Sequence, residues 1–158
     1  SVAFIGPTMK YNGVIRHRFD GFASVLRVNG MEVRSEHIFE IKSDVRQEAI
    51  IALGKHIASM KKEFSAIFIT SDQIASYVVQ GLVSEGVSVP DEMSVIGFDN
   101  LEICRQISPQ LTTIAQDLNQ KAFFAVSTLF QRLSSPSLPA QSMVLDVELV
   151  ERASVVQK

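Results

Sequence analysis

The sequence predicts an α/β fold: a parallel sheet with helices on both faces, in three αβα layers. Two observations lead there. Short, nearly continuous apolar runs recur along the chain, each closed by Gly, Pro or a polar cluster, as strands buried on both faces require. Between them lie longer segments with apolar residues three and four apart, the spacing of helices that cover a sheet. The 158 residues, 46% apolar and 20% charged, are enough for one domain with a substantial core.

Val2-Ala3-Phe4-Ile5-Gly6 is the first strand, ended by Gly6 and Pro7. A helix follows from about Val14 to Val28, with Phe19, Phe22, Ala23 and Leu26 inward and Asn29-Gly30 as the stop. His37 to Ile41 is the second strand. Ser43 or Asp44 caps the next helix, which turns Ala49, Ile50, Leu53, Ile57 and Met60 inward; Gly54 inside it costs some local stability. Ala66 to Thr70 is the third strand, and Ser71-Asp72 caps a helix that carries Ile74, Ala75, Val78 and Leu82 and ends at Gly86. Ser94-Val95-Ile96-Gly97-Phe98 is the fourth strand, followed by a short helical or loop piece around 101–106. Leu111 to Ile114 is the fifth, and Asp117 caps a long helix to about Leu133. Ser134 to Pro139 is the most loop-like stretch, and Met143 to Leu149 alternates as an edge strand does.

The formal net charge of −2 argues against a nucleic-acid-binding surface spread over this chain, and no apolar run has the length of a membrane span. The lone Cys104 excludes an internal disulfide and a cysteine-based zinc cluster, fits a reducing compartment, and reads as a small buried hydrophobe. His17, His37 and His56 are too scattered to pair as metal ligands and read as surface or helix-face residues. Neither a glycine-rich dinucleotide fingerprint nor a phosphate-binding P-loop appears, and no nucleophile–base pair stands out.

In parallel sheets, ligands sit beyond the carboxyl ends of the strands. Polar residues gather there: Thr8, Tyr11 and Asn12 after the first strand, Thr70-Ser71-Asp72 after the third, Asp99-Asn100 after the fourth, Gln116 and Asp117 after the fifth. Such a rim of hydroxyl, amide and carboxylate groups suits a small polyhydroxylated or nucleoside-like ligand.

The runs Ser71-Asp72-Gln73-Ile74-Ala75, Gly86 through Asn100 and Pro109-Gln110-Leu111-Thr112-Thr113-Ile114 closely resemble the lactose-repressor/galactose-repressor (LacI/GalR) family. Arg18-Phe19-Asp20-Gly21-Phe22 resembles its Arg-x-x-Gly-Phe element, and Leu149 to Ser154 resembles its terminal strand. The resemblance implies a periplasmic-binding-protein-like type I fold, with this chain as one flavodoxin-like lobe. It implies the effector-sensing part of a bacterial transcription regulator whose helix-turn-helix and most of whose first lobe lie outside this chain. Residues 1–158 would form one domain, the C-terminal lobe, in which the helix at 118–133 normally returns to the first lobe. Phe123, Phe124, Val126, Leu129 and Phe130 then lack their usual partner, so that helix is expected to find another apolar surface or to be poorly ordered.

By the same resemblance Arg18 clamps ligand hydroxyls or a carboxylate through its planar fork, and Asp99 accepts from ligand hydroxyls or amines. The bland reading of each is a structural ion pair. Gln116 reaches the ligand from the cleft wall; Ser71 does so where some relatives carry Asn, or is simply a helix cap. Tyr11 belongs to the same rim. Ile41 stands where many relatives place a stacking aromatic, with Phe39 two positions earlier, so stacking recognition is in doubt. The implied partners are a small-molecule effector, a second copy in a homodimer, and operator DNA only through the N-terminal domain; no membrane, cofactor or metal is implied, and the implied location is cytoplasmic. A solute-binding protein for import shares the fold and is the main rival. A flavodoxin-like or Rossmann-type enzyme ranks last for want of a catalytic constellation.

Overall fold

The computed structural model describes residues 1–11, 13–42 and 44–157, and of Tyr11 the backbone only. Asn12 and Ser43 lie outside the described residues. The elements in order are β1 (Val2–Pro7), α1 (Gly13–Val28), β2 (Ile38–Ile41), α2 (Gln47–Ser59), β3 (Ala66–Ile69), α3 (Asp72–Ser84), β4 (Ser94–Phe98), α4 (Ile103–Gln106), β5 (Thr112–Gln116), α5 (Leu118–Ser134) and β6 (Val147–Val150). Among the described residues the sheet has six strands in the order β2-β1-β3-β4-β5-β6. The pairs from β1 to β5 are parallel, and β6 closes one edge antiparallel to β5.

Strand alternation sorts the core onto two faces. Ala3, Ile5, Ile67, Ile69 and Val95 pack against Ile50 and Ile57 of α2 and Ala75, Val78 and Leu82 of α3. From the opposite face Phe4 meets Phe19 and Phe22 of α1 and Phe68 of β3, with ring centroids 5.1, 5.4 and 5.8 Å away. The three-layer expectation is met. Gly54, read from sequence as a weak point, is the place where α2 and α3 meet. A Cβ there would collide with the Val78 carbonyl, and one at Gly81 would collide with the Ile51 carbonyl. The two glycines permit a close helix crossing, which offsets their low helix propensity.

Two local expectations are corrected. The second helix starts at Gln47 with Arg46 in the capping position and no side-chain cap, so Asp44 does not cap it. His37 lies in a single 3-10 turn before β2 and is buried, its ring centroid 4.9 Å from that of Phe64 and its Nε2 3.5 Å from Glu63 Oε2. The turn sets the ring against Phe64 in an edge arrangement, so it is not a surface histidine, whereas His17 and His56 are exposed. Asp117 does cap α5, accepting from the Gln120 N–H at 2.9 Å. That helix is fully formed, yet none of its residues is buried; Phe123 and Phe130 are 68% and 65% exposed.

Candidate functional site

The parallel strand order 2-1-3-4-5 places a switch point between β1 and β3. The chain leaving β1 runs to β2 on one side and the chain leaving β3 runs to β4 on the other. The two connections diverge and leave a crevice at the carboxyl edge. β4 ends at Phe98, and the backbone then turns through the left-handed region, with φ of 109° at Asp99 and 53° at Asn100. Asp and Asn tolerate that region better than other side-chain-bearing residues, which is why an acid and an amide close this strand. The Asp99 N–H donates to the Ile114 carbonyl at 2.8 Å and pins the turn to β5.

Arg18 projects from α1 across this edge. Its Nη1 donates to the Thr70 carbonyl at 2.6 Å, and its Nη2 lies 3.5 Å from Asp99 Oδ1. The guanidinium lies over the Phe98 ring, 3.6 Å from its centroid. Gln116 Nε2 donates to Asp99 Oδ1 at 2.7 Å, and Lys121 Nζ donates to Gln116 Oε1 at 3.3 Å. Arg18 is 17% and Asp99 29% exposed, so the pair is half-sheltered but open to a ligand. Burial lowers the Arg18 pKa, and the nearby charges of Asp99 and Asp72 only partly restore it. The guanidinium is therefore under-solvated and gains from any further acceptor. A planar fork of five N–H donors beside a carboxylate, with no net charge between them, can bind vicinal hydroxyls that both accept and donate.

The family model described as periplasmic binding protein-like domain matches residues 1–155. The chain belongs to the periplasmic binding protein-like domain family. It is 33% identical over 151 residues to the HTH-type transcriptional repressor PurR of Glaesserella parasuis serovar 5, covering 92% of this chain and 44% of that one. It is 28% identical over 142 residues to the ribose operon repressor of Haemophilus influenzae, covering 90% and 42%. The chain thus spans less than half the length of these relatives. Among solved structures, a LacI family transcriptional regulator from Enterococcus faecalis with bound ribose matches with TM-score 0.79 and 30% identity, over 98% of this chain and 54% of that one. The transcription regulator CcpA of Lactococcus lactis shares the fold with TM-score 0.86 at 21% identity, over 99% and 56%. These relatives are transcriptional repressors and regulators, the Enterococcus faecalis one of the LacI family that the sequence resembles.

Within this periplasmic binding protein-like domain, Arg18, Asp99 and Gln116 converge on one spot. Ser71 occupies the N-cap position of α3, where its carbonyl accepts from the Ala75 N–H at 2.9 Å, but its side chain makes no cap hydrogen bond. The backbone of Tyr11 ends a short 3-10 turn, Met9–Tyr11, on the loop after β1. Ile41 ends β2, and its carbonyl accepts from the Thr8 N–H at 3.0 Å, but its side chain packs into the hydrophobic core. The strand's alternation turns that side chain to the α2 side. Phe39 packs at the core margin and its ring meets that of Phe64, so it does not supply the missing aromatic either.

Other participants were missed. Phe98, which the sequence places only as the last residue of the fourth strand, is the platform under Arg18. Arg152, on the segment after β6, donates to the Asn100 side chain and to the Leu111 carbonyl, each at 2.6 Å. Asp72 is fully buried and does not act as a surface cap. Only Gly97 hinted at this, since a Cβ there would collide with the Asp72 carboxylate. Among the described residues no group of His, Cys, Asp or Glu could hold a metal ion. A groove of about 500 Å³ between α3 and α4, lined by Tyr77, Val79, Val83, Ile103 and Ile107 among others, carries no charged side chain and lies away from the rim.

Proposed function

We propose that this domain senses a small, neutral, polyhydroxylated effector, a sugar or a nucleoside-like molecule, at the Arg18–Asp99–Gln116 rim. In the complete protein it would form one wall of a two-lobed cleft in a bacterial LacI-type transcriptional regulator. A ligand bridging the lobes biases their orientation, and with it the way a homodimer presents its DNA-binding domains to operator DNA. The coupling requires the ligand to favour one orientation over the other. The role is non-catalytic and the expected location cytoplasmic. The helix α5, with its exposed Phe123 and Phe130, would pack on the first lobe.

The observation that carries this proposal is the half-sheltered guanidinium of Arg18, stacked on Phe98 and facing Asp99 at the switch point. The names of the relatives favour regulation over import. Calorimetric titration of the complete protein with ribose, glucose and adenosine tests it. At least one should bind, and Arg18→Ala should weaken that binding roughly 10- to 100-fold, the worth of charge-assisted hydrogen bonds. Unchanged affinity in a folded Arg18→Ala protein would refute the site.

A further inference from the structure

The carboxylate of Asp72 is sealed from solvent, and both of its oxygens are bonded behind the rim. It lies in the first turn of α3 and is 0% exposed. Its Oδ2 accepts from the Leu101 N–H at 2.8 Å, and its Oδ1 accepts from the Thr113 hydroxyl at 2.6 Å. The Thr113 oxygen in turn accepts from the Asn100 N–H at 3.3 Å. A single carboxylate therefore holds the amide of residue 101 directly and that of residue 100 through one hydroxyl. These two amides immediately follow Asp99, in the stretch whose backbone is left-handed. From the other side Arg152 holds the Asn100 side chain. Gly97 completes the arrangement, because its missing side chain is what lets Asp72 reach this depth.

We infer that Asp72 is a positioning residue of the effector rim: it fixes the Asp99 turn in its binding geometry before any ligand arrives. The inference rests on the effector reading of Arg18 and Asp99 and adds to it the element that makes the carboxylate's direction rigid. A turn held by local residues alone would be free to trade its left-handed conformation for ordinary ones, since that region is disfavoured for residues other than Gly. Charge-assisted hydrogen bonds inside the core remove that freedom, and preorganisation of this kind lowers the ordering cost of binding.

The test uses residue-resolved amide hydrogen exchange on the complete, ligand-free protein, with Thr113→Val and Thr113→Ser. Valine keeps the shape and deletes the bridging hydroxyl; serine restores it. In the wild type the Asn100 and Leu101 amides should be protected almost as strongly as Val78 and Leu82 in α3. Thr113→Val should accelerate Asn100 about tenfold relative to Val78 and Leu82, the order expected for losing one charge-linked hydrogen bond, and Thr113→Ser should bring it back within about twofold. A general loss of stability would move all these amides in step, and that result overturns the inference. Fast exchange of Asn100 and Leu101 in the wild type overturns it too, and that arm stands even if the valine variant does not fold. With ribose as probe, Thr113→Val should weaken binding at least about fivefold and Thr113→Ser should not. Failure of ribose, glucose and adenosine alike to bind the wild type would count against the effector reading, while the exchange data would still decide the placement of the turn.

Discussion

One substitution, Gly→Ala, has opposite expected effects at two positions of this chain. At Gly97 in β4 an added Cβ would collide with the Asp72 carboxylate and come within 2.9 Å of Leu111 Cδ2. Neither neighbour can retreat freely, since Asp72 is bonded on both oxygens and Leu111 is fully buried. Forcing a methyl into a packed core costs about 1–3 kcal/mol. Displacing the carboxylate from Thr113 costs about 1.5–3 kcal/mol more, and the restricted unfolded chain returns about 0.4–1 kcal/mol. The net destabilisation for Gly97→Ala is about 2–5 kcal/mol. At Gly21, exposed in the middle of α1, nothing lies within 4 Å of the added Cβ. There Ala should stabilise by about 0.5–1 kcal/mol through helix propensity and unfolded-state entropy. Urea unfolding followed by far-ultraviolet circular dichroism measures both. Gly97→Ala within about 0.5 kcal/mol of wild type would refute the packing described around Asp72, and a destabilising Gly21→Ala would refute the open helix surface described there.

Further outcomes are expected elsewhere. Ser154 is fully buried, donates to the Val95 carbonyl at 2.6 Å and accepts from the Thr112 N–H at 2.8 Å; Ser154→Ala should cost about 1–3 kcal/mol in the same unfolding assay. Burial, with Asp72 second, raises the Cys104 thiol from 9.0 to about 12, so alkylation at pH 8 should proceed only as fast as the protein opens, and mass spectrometry would show it. The sign for stability follows: above pH 9 the unfolded chain loses this proton while the native state keeps it, so stability falls by up to about 1.4 kcal/mol per pH unit until the native thiol ionises near 12. Cys104→Ala should reduce that alkaline slope, as urea unfolding at pH 8 and pH 10.5 would reveal. The 158-residue chain alone, holding one wall of the proposed cleft, should bind the effector with a dissociation constant of roughly millimolar or weaker, against a tighter value for the complete protein. Micromolar binding by the chain alone would contradict the two-lobed arrangement.

The strands β1 and β3 to β5 were legible because buried parallel strands are short apolar runs, and the helices because their inward residues repeat at helical spacing. The cap at Asp117 and the meeting of Arg18 with Asp99 at one edge were legible too, the first as local chemistry and the second from strand order and resemblance. What escaped was set by distance along the chain. Arg152 lies 52 residues from Asn100, and Thr113 41 residues from Asp72, so no spacing signalled either contact. Ser71-Asp72 looked like an ordinary helix start, and only the vacancy at Gly97 lets the second of these dive into the core. Gly54 read as a helix weakness because its reason, Gly81, sits on another helix. His37 was misplaced for a related cause: the direction of a side chain at a strand end depends on register, which neighbouring residues do not specify.

The central claim is that the Arg18 guanidinium and the Asp99 carboxylate jointly receive a ligand. A crystal structure of the complete protein grown with the sugar or nucleoside that binds it in solution tests this most directly. The account predicts ligand hydroxyls within hydrogen-bonding distance of both groups, on the Phe98 side of the crevice between β1 and β3. A ligand seated elsewhere, with Arg18 and Asp99 paired only to each other, would reduce them to a structural ion pair and contradict the account.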